Sequence, residues 1–200
     1  MGFKGINTQQ GTTRAIYDAV KLLATPNVST IRFFENVNTK KFPFANLTEN
    51  KLQVGESITF QRMSLSVMEY DSVSGRVEAI VPLDYFFEFQ GLYRSDLSIS
   101  IAQDQVVKKL PMHTLYAPFN KNSKFLGNKI IGAQGTTTSF GLPHDVLHFD
   151  NPIVLPPQIE FYADLQLPTI QLPTVAVGVE FYMVMTLEGL GSLYAPKSTY

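Results

Sequence analysis

The chain has 200 residues, of which 44% are hydrophobic and 16% charged, with 16 Lys and Arg against 17 Asp and Glu and no cysteine. That length suits a single core, since all-β sandwiches and barrels reach it without splitting in two. The near-cancellation of charge excludes a global field for nucleic acid or membrane, and the lack of cysteine excludes disulfides, thiolate metal sites and cysteine nucleophiles.

Residues 1 to 11 are polar and Gly-rich and read as a flexible arm. Thr12 or Thr13 can cap a short helix running to Leu23, because Ala15, Ile16, Ala19, Val20 and Leu23 recur at three-to-four spacing. Ala24-Thr25-Pro26-Asn27 ends it, which sets a boundary between residues 1–28, arm and amphipathic helix, and a single domain over 29–200. The first fifty residues carry Lys4, Arg14, Lys21, Arg32, Lys40 and Lys41 against Asp18, Glu35 and Glu49, a balance that fits a solvated surface. With no apolar leader and no run of 18 apolar residues, the sequence predicts a soluble product without a cleaved signal or a membrane span.

From Ser29 the period changes to two, and Ser29 to Val37 reads as the first strand of this domain. In SITFQRMSLSVMEY, Ile58 and Phe60 lie in even register, whereas Met63, Leu65 and Val67 lie in odd register. A strand that keeps one face inward across that change needs a bulge near Gln61-Arg62. Val77, Ala79 and Val81 follow a Ser74-Gly75 turn, and DLSISIA sets Leu97, Ile99 and Ile101 opposite Asp96, Ser98 and Ser100. Between them Tyr85 to Tyr93 is dense in aromatic residues, read as core and subunit contact ahead of a sugar-stacking platform.

Residues 117–144 are rich in Gly, Asn, Ser, Thr and Lys and read as one long loop, a natural interaction surface. QIEFYADLQL then places Ile159, Phe161, Ala163 and Leu165 on one face. Val175, Val177, Val179, Phe181, Met183, Met185 and Leu187 hold a single odd register in the last strand. Fifteen Phe, nine Tyr and many branched residues favour strands throughout. The fold expected is all-β: a single jelly roll or β-sandwich of about eight to ten antiparallel strands with a short N-terminal helix.

No nucleophile elbow, phosphate-binding loop, dinucleotide fingerprint or HExxH pair is present. His144 and His148 lie four apart beside Asp145 and Asp150, with His113 elsewhere. On a strand that spacing separates two rings by about 13 Å, too far for one ion. Glu160 and Glu180 would be neighbours if their strands paired, and they read as solvent-facing charges rather than a glycosidase pair. Asn27-Val28-Ser29 and Asn46-Leu47-Thr48 match the glycan-acceptor pattern, taken as chance. No residue is assigned a catalytic, cofactor or metal role.

Several stretches carry a resemblance. The arm-then-helix start is similar to an N-terminal extension that runs along the inside of a shell. FPFANLTENKLQVGESITFQRMSLSV is similar to the lead-in to a first long strand, and SDLSISIAQDQVVKKLPM to a middle strand pair. NPIVLPPQIEFYADLQLP followed by VGVEFYMVMTLEGLG resembles the last two antiparallel strands. Together, over about half the chain, these resemble the jelly-roll coat proteins of icosahedral viruses, especially tailless bacteriophages. The chain departs from the double jelly roll in its shorter length and from genome-binding arms in its weaker basic charge.

The resemblance implies a structural subunit of a capsid, a major coat protein or a minor vertex or accessory protein, and not an enzyme. Its partners would be copies of itself and other capsid proteins, with weak contact of the arm with genome or an internal membrane. It implies no small-molecule substrate and no cofactor, and residence in the virion after assembly in the host cytoplasm. Low charge with high aromatic content suits subunit contacts independently of the resemblance. The competing expectation is a carbohydrate- or receptor-binding β-sandwich.

Overall fold

A computed structural model describes residues 9–22, 30–82, 95–112, 146–167 and 177–194. Nine strands are present among these residues: β1 Gln9–Lys21, β2 Thr30–Phe33, β3 Glu56–Asp71, β4 Arg76–Pro82, β5 Asp96–Ile101, β6 Asp104–Pro111, β7 Val146–Leu155, β8 Phe161–Gln166 and β9 Val179–Tyr194. All pairings between them are antiparallel. One sheet runs β1-β9-β3, with both β7 and β4 on the far side of β3; the other runs β2-β8-β5-β6. They face each other as a curled β-sandwich.

The core contains most of the inward residues the period-two reading names, together with others it does not name, among them Ile31, Phe33, Phe34, Val37 and Leu52. Ile58, Phe60, Met63, Leu65 and Val67 of β3 meet Phe181, Met183, Met185 and Leu187 of β9 on one side. Ile31, Phe33, Leu97, Ile99, Phe161, Ala163 and Leu165 come from the other sheet. The bulge lies where the register change requires it, between Phe60 and Arg62. Opposite it, β9 carries Gly189, where a Cβ would stand 2.0 Å from the Thr59 carbonyl oxygen, so the two backbones approach only because that side chain is missing.

The N-terminal helix is replaced by a strand. All thirteen residues of β1 pair with β9, from Gln9 opposite Tyr194 to Lys21 opposite Tyr182, and no α-helix occurs among the described residues. The helical spacing misleads because this strand is buried on both faces around Ile16 to Ala19. Ile16 and Leu22 enter the core, whereas Ala19 joins Met68 and Val184 in a second apolar cluster on the outer face of the sheet. Apolar residues on both sides of a strand mimic a 3.6-residue period, and long-range pairing with β9 overrides local propensity.

Other boundaries shift. The first predicted strand is trimmed to Thr30–Phe33, because Phe34 turns at φ 67° and starts a connection with a 3₁₀ turn at Val37–Thr39. Ile159 lies outside β8 and is 37% exposed. The last strand begins at Val179, and Val177 is fully exposed beside Gly178, which turns at φ 92°. Ser100, expected outside, is buried. The aromatic stretch 85–93 and the loop 117–144 lie outside the described residues.

Candidate functional site

A two-sheet sandwich has two open sides, where the edge strands of the sheets face each other. On one of them β1 and β2 are the edges, and the connection from Phe34 to Leu47 closes the gap as a strap. Its anchor is Asp18, whose neighbours in sequence and inward position make it look like a core residue. Its carboxylate is fully buried, and accepts the Phe34 N–H at 2.7 Å and the Lys40 ammonium at 2.6 Å. Burial pushes the carboxyl pKa up, against the Lys40 hydrogen bond, the Phe34 amide and the lysine's charge, all of which pull it down.

The strap then wraps from the core to the outer face. Val37 is buried inside, Ala19 N–H donates to the Phe44 carbonyl at 2.7 Å, and the Phe44 ring lies tilted at 4.7 Å from Tyr182 and edge-on at 5.0 Å from Tyr70. Asn46 acts as a surrogate strand: its side-chain oxygen accepts the Tyr17 N–H and its amide donates to the Ala15 carbonyl, both at 2.8 Å. The outward edge of β1 is thereby satisfied over residues 15 to 19.

Beneath the strap lies a cleft of about 510 Å³, within the usual range for small-ligand pockets. Its lining includes Lys21, Arg32, Lys40 and Lys41 together with Phe42, Phe44 and Tyr182. Three of the four cations are matched. Lys21 lies 2.6 Å from Glu180, Arg32 contacts Asp164 and Glu35 at 2.6 and 2.9 Å, and Lys40 holds Asp18. Arg32 also stacks over the Tyr162 ring at 4.6 Å, and the Asp164 hydrogen bond, with that of Glu35, holds its pKa well above the usual guanidinium value. Lys21, then the Tyr182 hydroxyl at 2.8 Å, keep the Glu180 carboxyl below the usual carboxylate range. Tyr182 is pushed up, first by burial and then by Glu180.

The opposite open side is built differently. Phe60 pairs with Ile153 and Arg62 with His148, so four residues of β7 stand across from Gln61 alone. That excursion opens a groove of about 460 Å³ whose lining joins apolar residues such as Val106, Phe149 and Val154 to the polar Asp150 and Asn151.

The residues singled out from sequence are not brought together. Glu160 and Glu180 do not meet as a carboxylate pair: Glu160 precedes β8 in one sheet, and Glu180 sits in β9 of the other, bound to Lys21. His148 is exposed on β7, while His113 and His144 lie outside the described residues, and no group of three metal-binding side chains forms among those described. The Asn46 amide is engaged on the β1 edge, and Asn27 is outside the described residues. Sequence reasoning passed over Asp18, Lys40 and the strap, although an acid inside an apolar run and the basic-aromatic string KKFPF were visible signals.

No known protein-family model, curated protein or solved structure matches the chain.

Proposed function

We propose that this chain is a single jelly-roll subunit of an icosahedral viral shell, in a major coat or a vertex or accessory position, and that it works by assembling rather than by catalysis. The observation that carries the reading is the order of strand pairing. A jelly roll is an eight-stranded antiparallel ribbon folded over itself, a double Greek key in which the first strand pairs with the eighth, the second with the seventh, the third with the sixth and the fourth with the fifth. Setting aside β4, a side hairpin on β3, the pairs here are β1 with β9, β2 with β8, β3 with β7 and β5 with β6. The two further contacts, β9 with β3 and β8 with β5, are those made when such a ribbon rolls into two sheets.

Sparse charge and exposed apolar side chains favour contacts between subunits. Ile80, Val154 and Leu190 on the first sheet are 65%, 53% and 59% exposed, which suits faces that become covered in an assembly. The partners on this reading are copies of the chain and other shell proteins, and its location is the virion.

Size-exclusion chromatography of purified protein with negative-stain electron microscopy tests the reading. Closed shells or discrete ring-like oligomers are expected at high concentration or with co-expressed shell proteins. A protein that stays monomeric at every concentration and enters no particle would overturn it.

A further inference from the structure

We propose that the cleft under the strap is a binding site for a glycan unit bearing a single negative charge, a sugar acid, stacked on Phe42 and charge-paired with Lys41. The site does not depend on the shell reading and would be as useful to a free receptor-binding domain.

The choice of ligand follows from what the cleft leaves unspent. Three of its cations are engaged, Lys21 by Glu180, Arg32 by both Asp164 and Glu35, and Lys40 by the buried Asp18. Lys41, exposed on the strap, forms no ion pair among the described residues. Four carboxylates stand against the four cations, so the cleft is neutral as a whole, and its one unengaged ammonium fits one carboxylate. It does not fit a nucleic-acid strand, which needs a track of several cations to displace its counterions.

The neighbouring residue supplies the second element. Phe42 lines the same cleft and is 85% exposed, a large apolar ring offered to solvent. The C–H face of a pyranose is an apolar, roughly planar surface that an aromatic ring covers well, and stacking of this kind adds to simple burial.

The third element is prepayment of order. Among the lining groups, Lys21 and Tyr182 are fixed by donating to Glu180, and Arg32 by two carboxylates and the Tyr162 ring. Polar groups already held in place lose little freedom when a hydroxyl-rich ligand adds further hydrogen bonds to them. The cleft therefore combines a stacking ring, one unengaged cation and lining donors held in place by carboxylates behind them.

The test is a glycan array printed with neutral, sialylated and uronate-bearing glycans, followed by titration calorimetry with the best binder. Acid-bearing glycans are expected to bind, with affinity falling at least tenfold for Lys41→Gln and for Phe42→Ala and retained by Phe42→Tyr, while the melting temperature stays unchanged. Silence across the array, preference for neutral glycans or indifference to both substitutions would overturn the proposal. So would tighter binding of a single-stranded oligonucleotide that depends on Lys41.

Discussion

The two open sides of the sandwich solve the same problem with a different balance of polar and apolar groups. Between β1 and β2, polar groups close the gap: a buried carboxylate, a lysine, an asparagine that imitates a strand, and salt bridges around them. Between β6 and β7 the lining is mostly aliphatic and aromatic, with Asp150 and Asn151 as its polar members, and Val106 and Val154 remain 46% and 53% exposed. The polar side specifies one geometry, since each buried polar group must find its partner. The apolar side tolerates variation, because hydrophobic contact is not directional. A strap with fixed bonds suits recognition of a small ligand, and an apolar groove suits packing against another protein surface.

The sharpest way to break this contrast is Asp18→Ala, which leaves the Phe34 amide without its acceptor and the Lys40 ammonium without its partner. It should destabilise the fold by about 3 kcal/mol in urea titration, the low end for breaking a buried pair because Lys40 can turn toward water. A loss under 1 kcal/mol would mean that the strap is held mainly by its apolar residues. A similar loss, about 2 to 3 kcal/mol, is expected for Gly189→Ala, where the added methyl group meets the β3 backbone at the bulge. That change strikes the β9–β3 seam shared by both sides, and so calibrates the others.

A smaller effect is expected from Asn46→Ala, about 1 kcal/mol for two hydrogen bonds on a partly solvated edge. Its specific readout is faster hydrogen exchange at the Tyr17 amide, with Ala19 changed less because Phe44 supplies its acceptor. On the apolar side Val154→Lys should change stability by less than about 0.5 kcal/mol, since the residue is half exposed. It should nonetheless weaken self-association in sedimentation velocity, and unchanged assembly would remove this groove from the interface.

The pH dependence of stability separates two carboxylates of the strap side. Because burial raises the folded-state pKa of Asp18, the native state holds its proton more tightly than the unfolded chain. Stability from this group is therefore greatest in acid and declines as pH rises from the ordinary aspartate range through the raised value. Glu180 acts in reverse: its lowered pKa gives stability above the ordinary glutamate range that is lost as pH falls. Asp18→Asn should flatten the first slope and leave the second, which melting temperatures across mildly acidic pH would reveal; an unchanged slope would exclude Asp18 as its source.

How much of this was legible depended on how local the cause was. The bulge at Gln61-Arg62 was visible because a strand with one buried face cannot change register without an extra residue. The inward set of β3, β5 and β8 was visible for the same reason. β1 was misread because both of its faces are covered around Ile16 to Ala19, the outer one by Phe44, which lies far along the chain. Val177 was misread because an apolar residue can continue a pattern past the point where Gly178 turns the backbone.

The sequence alone determined the period-two alternation, the all-β class and the positions of most core residues, because those follow from the pleat of a single strand. Only the tertiary structure decided that the first thirteen described residues form an edge strand, that Asp18 is a buried anchor and that Lys41 and Phe42 share a cleft. Each of these depends on contacts between segments widely separated in the chain, and burial of a charge is set by what folds over it, which no local pattern encodes.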